Sequence, residues 1–163
     1  MYIVDKMLNN YMTIGFIHLL FPNALILHTV RDPMDTIVSA FRTNFNHPLL
    51  FWTLSLDMLK KAYVIYFDVL KHYNTVLPNR IHTIQYENMV ENPEPELRAI
   101  CKKLNIPFDP IMLRFDIVNR TSHTSSMLQV KKRLYKDSVG SWRKYSAMLK
   151  DYSVDLMTTL MEI

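Results

Sequence analysis

The chain has 163 residues, 49% of them hydrophobic and 21% charged, with a net charge of +4. That is enough chain for one domain with a real core, and too apolar for disorder. A single cysteine, Cys101, excludes an internal disulfide and a cysteine-cluster metal site, while only two glycines, Gly15 and Gly140, exclude a glycine-rich phosphate loop or dinucleotide fingerprint within these residues.

In chain order, Tyr2-Ile3-Val4 reads as the tail of a strand and Asp5 to Leu8 as a short loop. Asn9 or Asn10 caps a helix through Phe21, with Met12, Phe16, Leu19 and Leu20 on one apolar face. Phe21-Pro22-Asn23 turns the chain into an apolar run, Ala24 to Val30, expected to be a buried strand. Pro22, Asn23 and two histidines interrupt this region, so it is not a membrane span, and no cleavable signal peptide precedes it.

The stretch Arg31-Asp32-Pro33-Met34-Asp35, closed by Ser39, is the most informative in the chain. Asp32 suits a helix N-cap, Pro33 suits the first helical position, and Asp35 falls three residues after the cap. Arg31 therefore stands at the mouth of a strand-to-helix turn, at the carboxyl end of a strand, where open α/β sheets bind ligands. Ser39 shares a helical face with Asp35 and Arg42. An arginine and a hydroxyl near a helix start make a phosphate site. The alternative is an arginine paired with Asp32 or Asp35 and a serine bonded back to its own helix.

The helix opened by Pro33 is expected to run to about Phe45, broken by Asn46-His47-Pro48. A long amphipathic helix fits Phe51 to about Tyr73, its Tyr and Trp residues serving the core. Leu77 to Arg80 is a turn. Ile81 to Tyr86 alternates as a second strand. Asn92-Pro93 caps a helix to about Leu104, with Glu94 and Glu96 suiting its dipole, and Asn105 to Pro110 closes it. The rest is polar and loop-rich until a terminal helix from Trp142 to Leu149. Strands alternating with helices predict an α/β fold with a parallel sheet. Two strands alone make a poor sheet. The chain thus reads as the C-terminal portion of a larger α/β domain, its first strands missing or supplied by another chain.

The basic excess is local: Lys131, Lys132, Arg133 and Lys136, then Arg143 and Lys144. It leans toward anionic partners, but no nucleic-acid-binding motif accompanies it, so no nucleic-acid partner is expected. The six histidines show no metal-ligand spacing, so no metal site is expected. His28 and His82 fall in strands and are read as packing groups or as supports behind a site.

Several segments then match one family in order: Val4 to Asn10, Ile17 to Ala24, Arg31-Asp32-Pro33 with Ser39, Gln85 to Val90, and Ser138 to Tyr145. Over roughly residues 2 to 150 the chain resembles the sulfotransferase superfamily. The resemblance is strongest to the tyrosylprotein-sulfotransferase-like branch and its bacterial relatives with tetratricopeptide repeats. It implies a P-loop-like α/β sandwich, here one partial domain over 1–163 with the N-terminal strands and the phosphate loop missing. It implies the cosubstrate 3'-phosphoadenosine 5'-phosphosulfate (PAPS), whose sulfuryl group passes to an acceptor hydroxyl, protein tyrosine being the leading acceptor class.

By resemblance, Arg31 and Ser39 bind the 3'-phosphate, a role a guanidinium fork and a hydroxyl suit. Lys6 matches a lysine near the leaving group's bridging oxygen; on local pattern it is an exposed loop lysine. Tyr86 matches a tyrosine near the adenine, the alternative being a core tyrosine at a strand end. Ser126 matches a late serine at the nucleotide, with Ser122 and Ser125 close by. A basic residue common just before the tryptophan is Ser141 here, leaving Arg143, Lys144 or the 131–136 cluster to serve.

The family's 5'-phosphosulfate loop and the tyrosylprotein branch's glutamate base are expected upstream of Lys6. The cytosolic branch's histidine falls at Leu8. The chain alone is therefore expected to be catalytically dead or nearly so. The alternative function is an inactive remnant that binds a nucleotide or a partner. An exposed apolar face and self-association are further expectations. The two branches imply different compartments, Golgi lumen or cytosol.

Overall fold

A computed structural model describes residues 3–43, 45, 48–114 and 136–163. A 3-10 turn, Asn10–Thr13, leads into helix α1 (Ile14–Leu20). Strand β1 (Ile26–Val30) follows, then helix α2 (Pro33–Arg42). A 3-10 segment (Pro48–Leu54) precedes the long helix α3 (Leu56–Val76), which returns the chain to strand β2 (Ile81–Gln85). Helices α4 (Tyr86–Glu91) and α5 (Pro93–Leu104) come next. A short 3-10 turn, Pro110–Leu113, follows. A 3-10 turn, Ser141–Tyr145, opens the last helix, α6 (Ser146–Glu162).

The sheet is a parallel pair, β1 beside β2, in the register Ile26↔Ile81 through Val30↔Gln85. The crossover through α2 and α3 is what a parallel pair requires. Ile26, His28 and Val30 share one face with Ile81, Thr83 and Gln85, because side chains alternate along a strand. Helix α3 reaches that face: the His28 ring shares hydrogen bonds with the Tyr66 hydroxyl at 2.5 Å and the Thr83 hydroxyl at 3.4 Å. The expectation that His28 is a packing group fits this contact.

The core lies on the helices. Met34, Ile37 and Val38 of α2, Leu59 and Tyr63 of α3, and Leu156 of α6 form one buried cluster, flanked by Trp52, Tyr66, Trp142 and Tyr152. Helix α6 runs alongside α3 in the same direction. Tyr152 donates to the Leu56 carbonyl at 2.7 Å, and Lys60 meets Asp155 at 2.5 Å. Lys71 reaches the Ile163 carbonyl at the far end.

Several expectations need correction. Ile3 and Val4 are not in a strand and stand 84% and 89% exposed. The predicted helix through Phe21 is a 3-10 turn and only seven residues of α-helix. Its apolar face points outward, with Phe16 68% and Leu19 75% exposed. Ile14 is the residue α1 buries, and the absent side chain of Gly15 lets the Tyr73 hydroxyl approach to 3.2 Å of where a Cβ would stand. Tyr86 ends no strand; it opens α4, a helix the alternation of 81–86 had concealed. The terminal helix continues to Glu162, well past Leu149, and buries Leu156 completely.

Candidate functional site

The register decides which residues meet. Val30 and Gln85 are paired at the carboxyl ends of the two strands, so the residues that follow them, Arg31 and Tyr86, leave the sheet side by side. The Arg31 guanidinium lies 5.0 Å from the centre of the Tyr86 ring, a cation–π distance.

Helix α2 starts where the local pattern requires. Asp32 is the N-cap, its carboxylate accepting from the Asp35 amide at 2.8 Å, and Pro33 occupies the first turn. The reciprocal half of a capping box is made differently. Glu87, from the first turn of α4, accepts from the Asp32 amide at 2.9 Å. Asp35 is thereby released from the cap, and its carboxylate turns the other way.

That carboxylate is fully buried and is met by residues more than a hundred positions away. Oδ2 accepts from the Gly140 amide at 2.6 Å, and Oδ1 accepts from the Trp142 amide at 2.9 Å and the Ser141 hydroxyl at 3.1 Å. Arg31 Nη2 lies 3.6 Å from Oδ2 and also donates to the Ser138 carbonyl. The arginine side chain is 19% exposed. Its Nε is buried with no hydrogen-bond partner among the described residues. Gly140 takes the left-handed conformation, φ +67°, and the Arg143 guanidinium fills the place a Cβ would occupy. The left-handed conformation favours glycine here.

Ser39 lies one helical turn beyond Asp35 on the same face of α2 and is exposed. Arg42, on that face too, has its guanidinium 5.5 Å from the Tyr145 ring centre. The Asp35–Ser39–Arg42 face thus runs along the 140–145 segment, touching it at both ends. Lys6 is exposed on the loop before the first turn, with no hydrogen bond or ion pair among the described residues. The structure brings Arg31 and Tyr86 together; it records no contact between Lys6 and either. Ser126 and the basic residues 131–133 lie outside the described residues.

Local reading of the sequence missed Glu87, Gly140 and Ser141 as parts of this junction, and took Asp35 as a first-turn acid or a partner for Arg31. The signals were present as separate motifs, Tyr86-Glu87 and Ser138 to Trp142, with nothing in one dimension to join them. The alternative of an arginine paired with Asp35 describes one of the contacts seen.

Burial first, and then Tyr66, Asp32 and Glu87, push the Tyr63 phenol up. Burial and then Tyr11 push Tyr66 up to about 12. Burial lowers the His28 pKa below its ordinary 6.5. The raised pKa values keep both phenols neutral at pH 7. Among the described residues no three His, Cys, Asp or Glu side chains gather to hold a metal, and no helix is long and apolar enough to cross a membrane.

Comparison with known proteins gives three findings. A family model described as the sulfotransferase family matches residues 1–110. An uncharacterized protein of Aquifex aeolicus (strain VF5) is 30% identical over 149 residues, covering 90% of this chain and 20% of that protein. A solved sulfotransferase domain from the curacin biosynthetic pathway has a similar fold, with a TM-score of 0.59 at 19% identity over 90% of this chain and 62% of that one. The chain therefore spans about a fifth of the curated relative's length.

Proposed function

The chain belongs to the sulfotransferase family, and from that membership we propose that the Arg31–Tyr86 junction is the 3'-phosphate half of a PAPS site. The observation that carries the reading is the orphaned Arg31 Nε. It is a buried donor without an acceptor among the described residues, on a guanidinium otherwise engaged by Ser138, Asp35 and Tyr86. Buried donors rarely go unpaired, and a phosphate oxygen is the acceptor that an arginine fork matches best.

In this reading Arg31 binds the 3'-phosphate, with the exposed Ser39 hydroxyl as the second donor. Tyr86 holds the guanidinium plane and offers its remaining ring surface to the adenine. Ser126, outside the described residues, is a further nucleotide contact. When bound, the nucleotide supplies an activated sulfuryl group. We assign Lys6 to the charge that develops on the leaving group as the S–O bond breaks, since a fixed cation there lowers the barrier. In this reading the fold is a P-loop-like sandwich, and the acceptor is a hydroxyl, with protein tyrosine as the leading class.

The test is calorimetric titration with 3'-phosphoadenosine 5'-phosphate, with 5'-AMP and Arg31→Ala as controls. Binding that requires both the 3'-phosphate and Arg31 upholds the reading. Equal binding of the two nucleotides, or none by the folded chain, overturns it.

A second reading, an inactive module that binds a nucleotide or a partner, is favoured by the exposure of Lys6 on a segment whose Ile3, Val4, Met7 and Leu8 are open to solvent. Nucleotide binding without sulfuryl transfer to a tyrosyl peptide would select it, and sedimentation would show whether those side chains drive self-association.

A further inference from the structure

We propose that Asp35 is the positioning residue of the anion site: its buried carboxylate gathers the Gly140–Trp142 turn onto the first turn of α2 and so sets the pose of Arg31. The inference rests on the nucleotide reading above and concerns a segment beyond the residues 1–110 that the family model matches.

Three donors and one guanidinium surround the carboxylate. Ser141 Oγ and the Trp142 amide take Oδ1; the Gly140 amide takes Oδ2, which also faces Arg31 Nη2. With both oxygens engaged and the side chain fully buried, the group has no room to rotate. Hydrogen bonds to a carboxylate are roughly twice as strong as neutral ones, and burial strengthens them further.

Two of the holds on Arg31 trace back to this one group. Asp35 faces Nη2 directly at 3.6 Å. The Ser138 carbonyl, the second acceptor for Nη2, stands two residues before Gly140, whose amide Asp35 fixes. The Tyr86 ring closes a third side. What remains is the Nε edge, buried and without a hydrogen-bond partner among the described residues. Asp35 thus consumes one end of the guanidinium and leaves the other for an anion. The same turn carries the exposed Arg143, folded over Gly140, to this junction. Asp35 touches no ligand in this account; it acts through Arg31.

The competing role is a plain staple between α2 and the C-terminal segment. Calorimetry separates the two, read as the ratio of affinities for 3'-phosphoadenosine 5'-phosphate and 5'-AMP. A positioning role predicts that Asp35→Asn lowers this ratio by about tenfold or more, the worth of a hydrogen bond to a charged group. Ser141→Ala, which removes one donor, lowers it by a smaller factor. In the Arg31→Ala background, Asp35→Asn changes the ratio no further. A staple predicts a lower melting temperature with both affinities reduced in parallel, or an unchanged ratio; either result overturns the proposal. Where Asp35→Asn does not fold, Ser141→Ala decides by the same ratio. A wild-type chain that does not discriminate between the two nucleotides overturns the nucleotide reading, and the role of Asp35 falls with it.

Discussion

Two cations of this chain, Arg31 and Lys6, are held in opposite ways. Arg31 emerges from a paired strand end, caught between Ser138, Asp35 and the Tyr86 ring. Lys6 stands exposed on a loop, without a partner among the described residues. The neighbourhoods differ in the same sense. Around Arg31 the flanking helices pack into the buried cluster of Ile37, Leu59 and Leu156. Around Lys6 the apolar side chains of residues 3, 4, 7 and 8 face solvent. A charge held by distant parts of its own chain has already met the entropic cost of ordering, so it binds an anion at less expense. A loose lysine meets that cost at the moment of binding.

The largest effect that would sharpen this contrast is on stability. Leu156→Ala empties a fully buried position and should cost about 2–5 kcal/mol. Leu19→Ala, at 75% exposure, should stay within about 0.5 kcal/mol. Urea midpoints on the two variants measure both, and equal costs would break the division between the regions.

Next comes binding. Arg31→Ala should weaken 3'-phosphoadenosine 5'-phosphate by about 1.5–3 kcal/mol, the worth of a hydrogen bond to a charged group. Lys6→Ala should weaken it by less than about 1 kcal/mol, as for an exposed ion pair. A reversal of that order would move the anchor of the site to the N-terminal loop.

A smaller effect lies in the cap. Asp32→Ala removes the acceptor for the Asp35 amide and should cost about 1 kcal/mol of stability. Because Asp35 starts from that capped turn, discrimination for the 3'-phosphate should fall with it. Thermal melts and the same titrations read both quantities.

The smallest effect is a pH slope. Burial lowers the His28 pKa below 6.5 in the folded chain, so the unfolded chain binds the proton first. The stability held by neutral His28 is present above pH 6.5 and is lost as pH falls from there through its lower folded value. His28→Gln should flatten that part of the profile in denaturation series from pH 7.5 to 5, and an unchanged slope would remove His28 from the acid response.

Much of the secondary structure was open to reading because its causes lie within a few residues. Asp32-Pro33 starts α2 and Asn92-Pro93 precedes α5, which ends at Asn105 in the left-handed conformation, φ 52°. The parallel pair followed from strands separated by helices; the short motifs that carry Arg31 and Tyr86 were legible, but their nearness comes from the strand register. Helix α1 misled for a physical reason: Phe16, Leu19 and Leu20 have helical spacing, which marks a face as apolar without saying what covers it. Helix α4 was hidden because alternation over 81–86 cannot tell a strand end from the first turn of a helix.

By itself, then, the sequence determined the starts of α2 and α5, the apolar faces, the parallel strands and a strand-end arginine, since propensity, capping and periodicity act over one or two turns. The tertiary structure alone decided where Asp35 points, which residue takes over the reciprocal cap, and how Arg31 is gripped. Those choices depend on an acceptor 55 residues from Asp32, the Glu87 carboxylate, and on a donor 105 residues from Asp35, the Gly140 amide. Local rules leave such partners free, because a buried carboxylate is satisfied by whichever donors packing delivers to it.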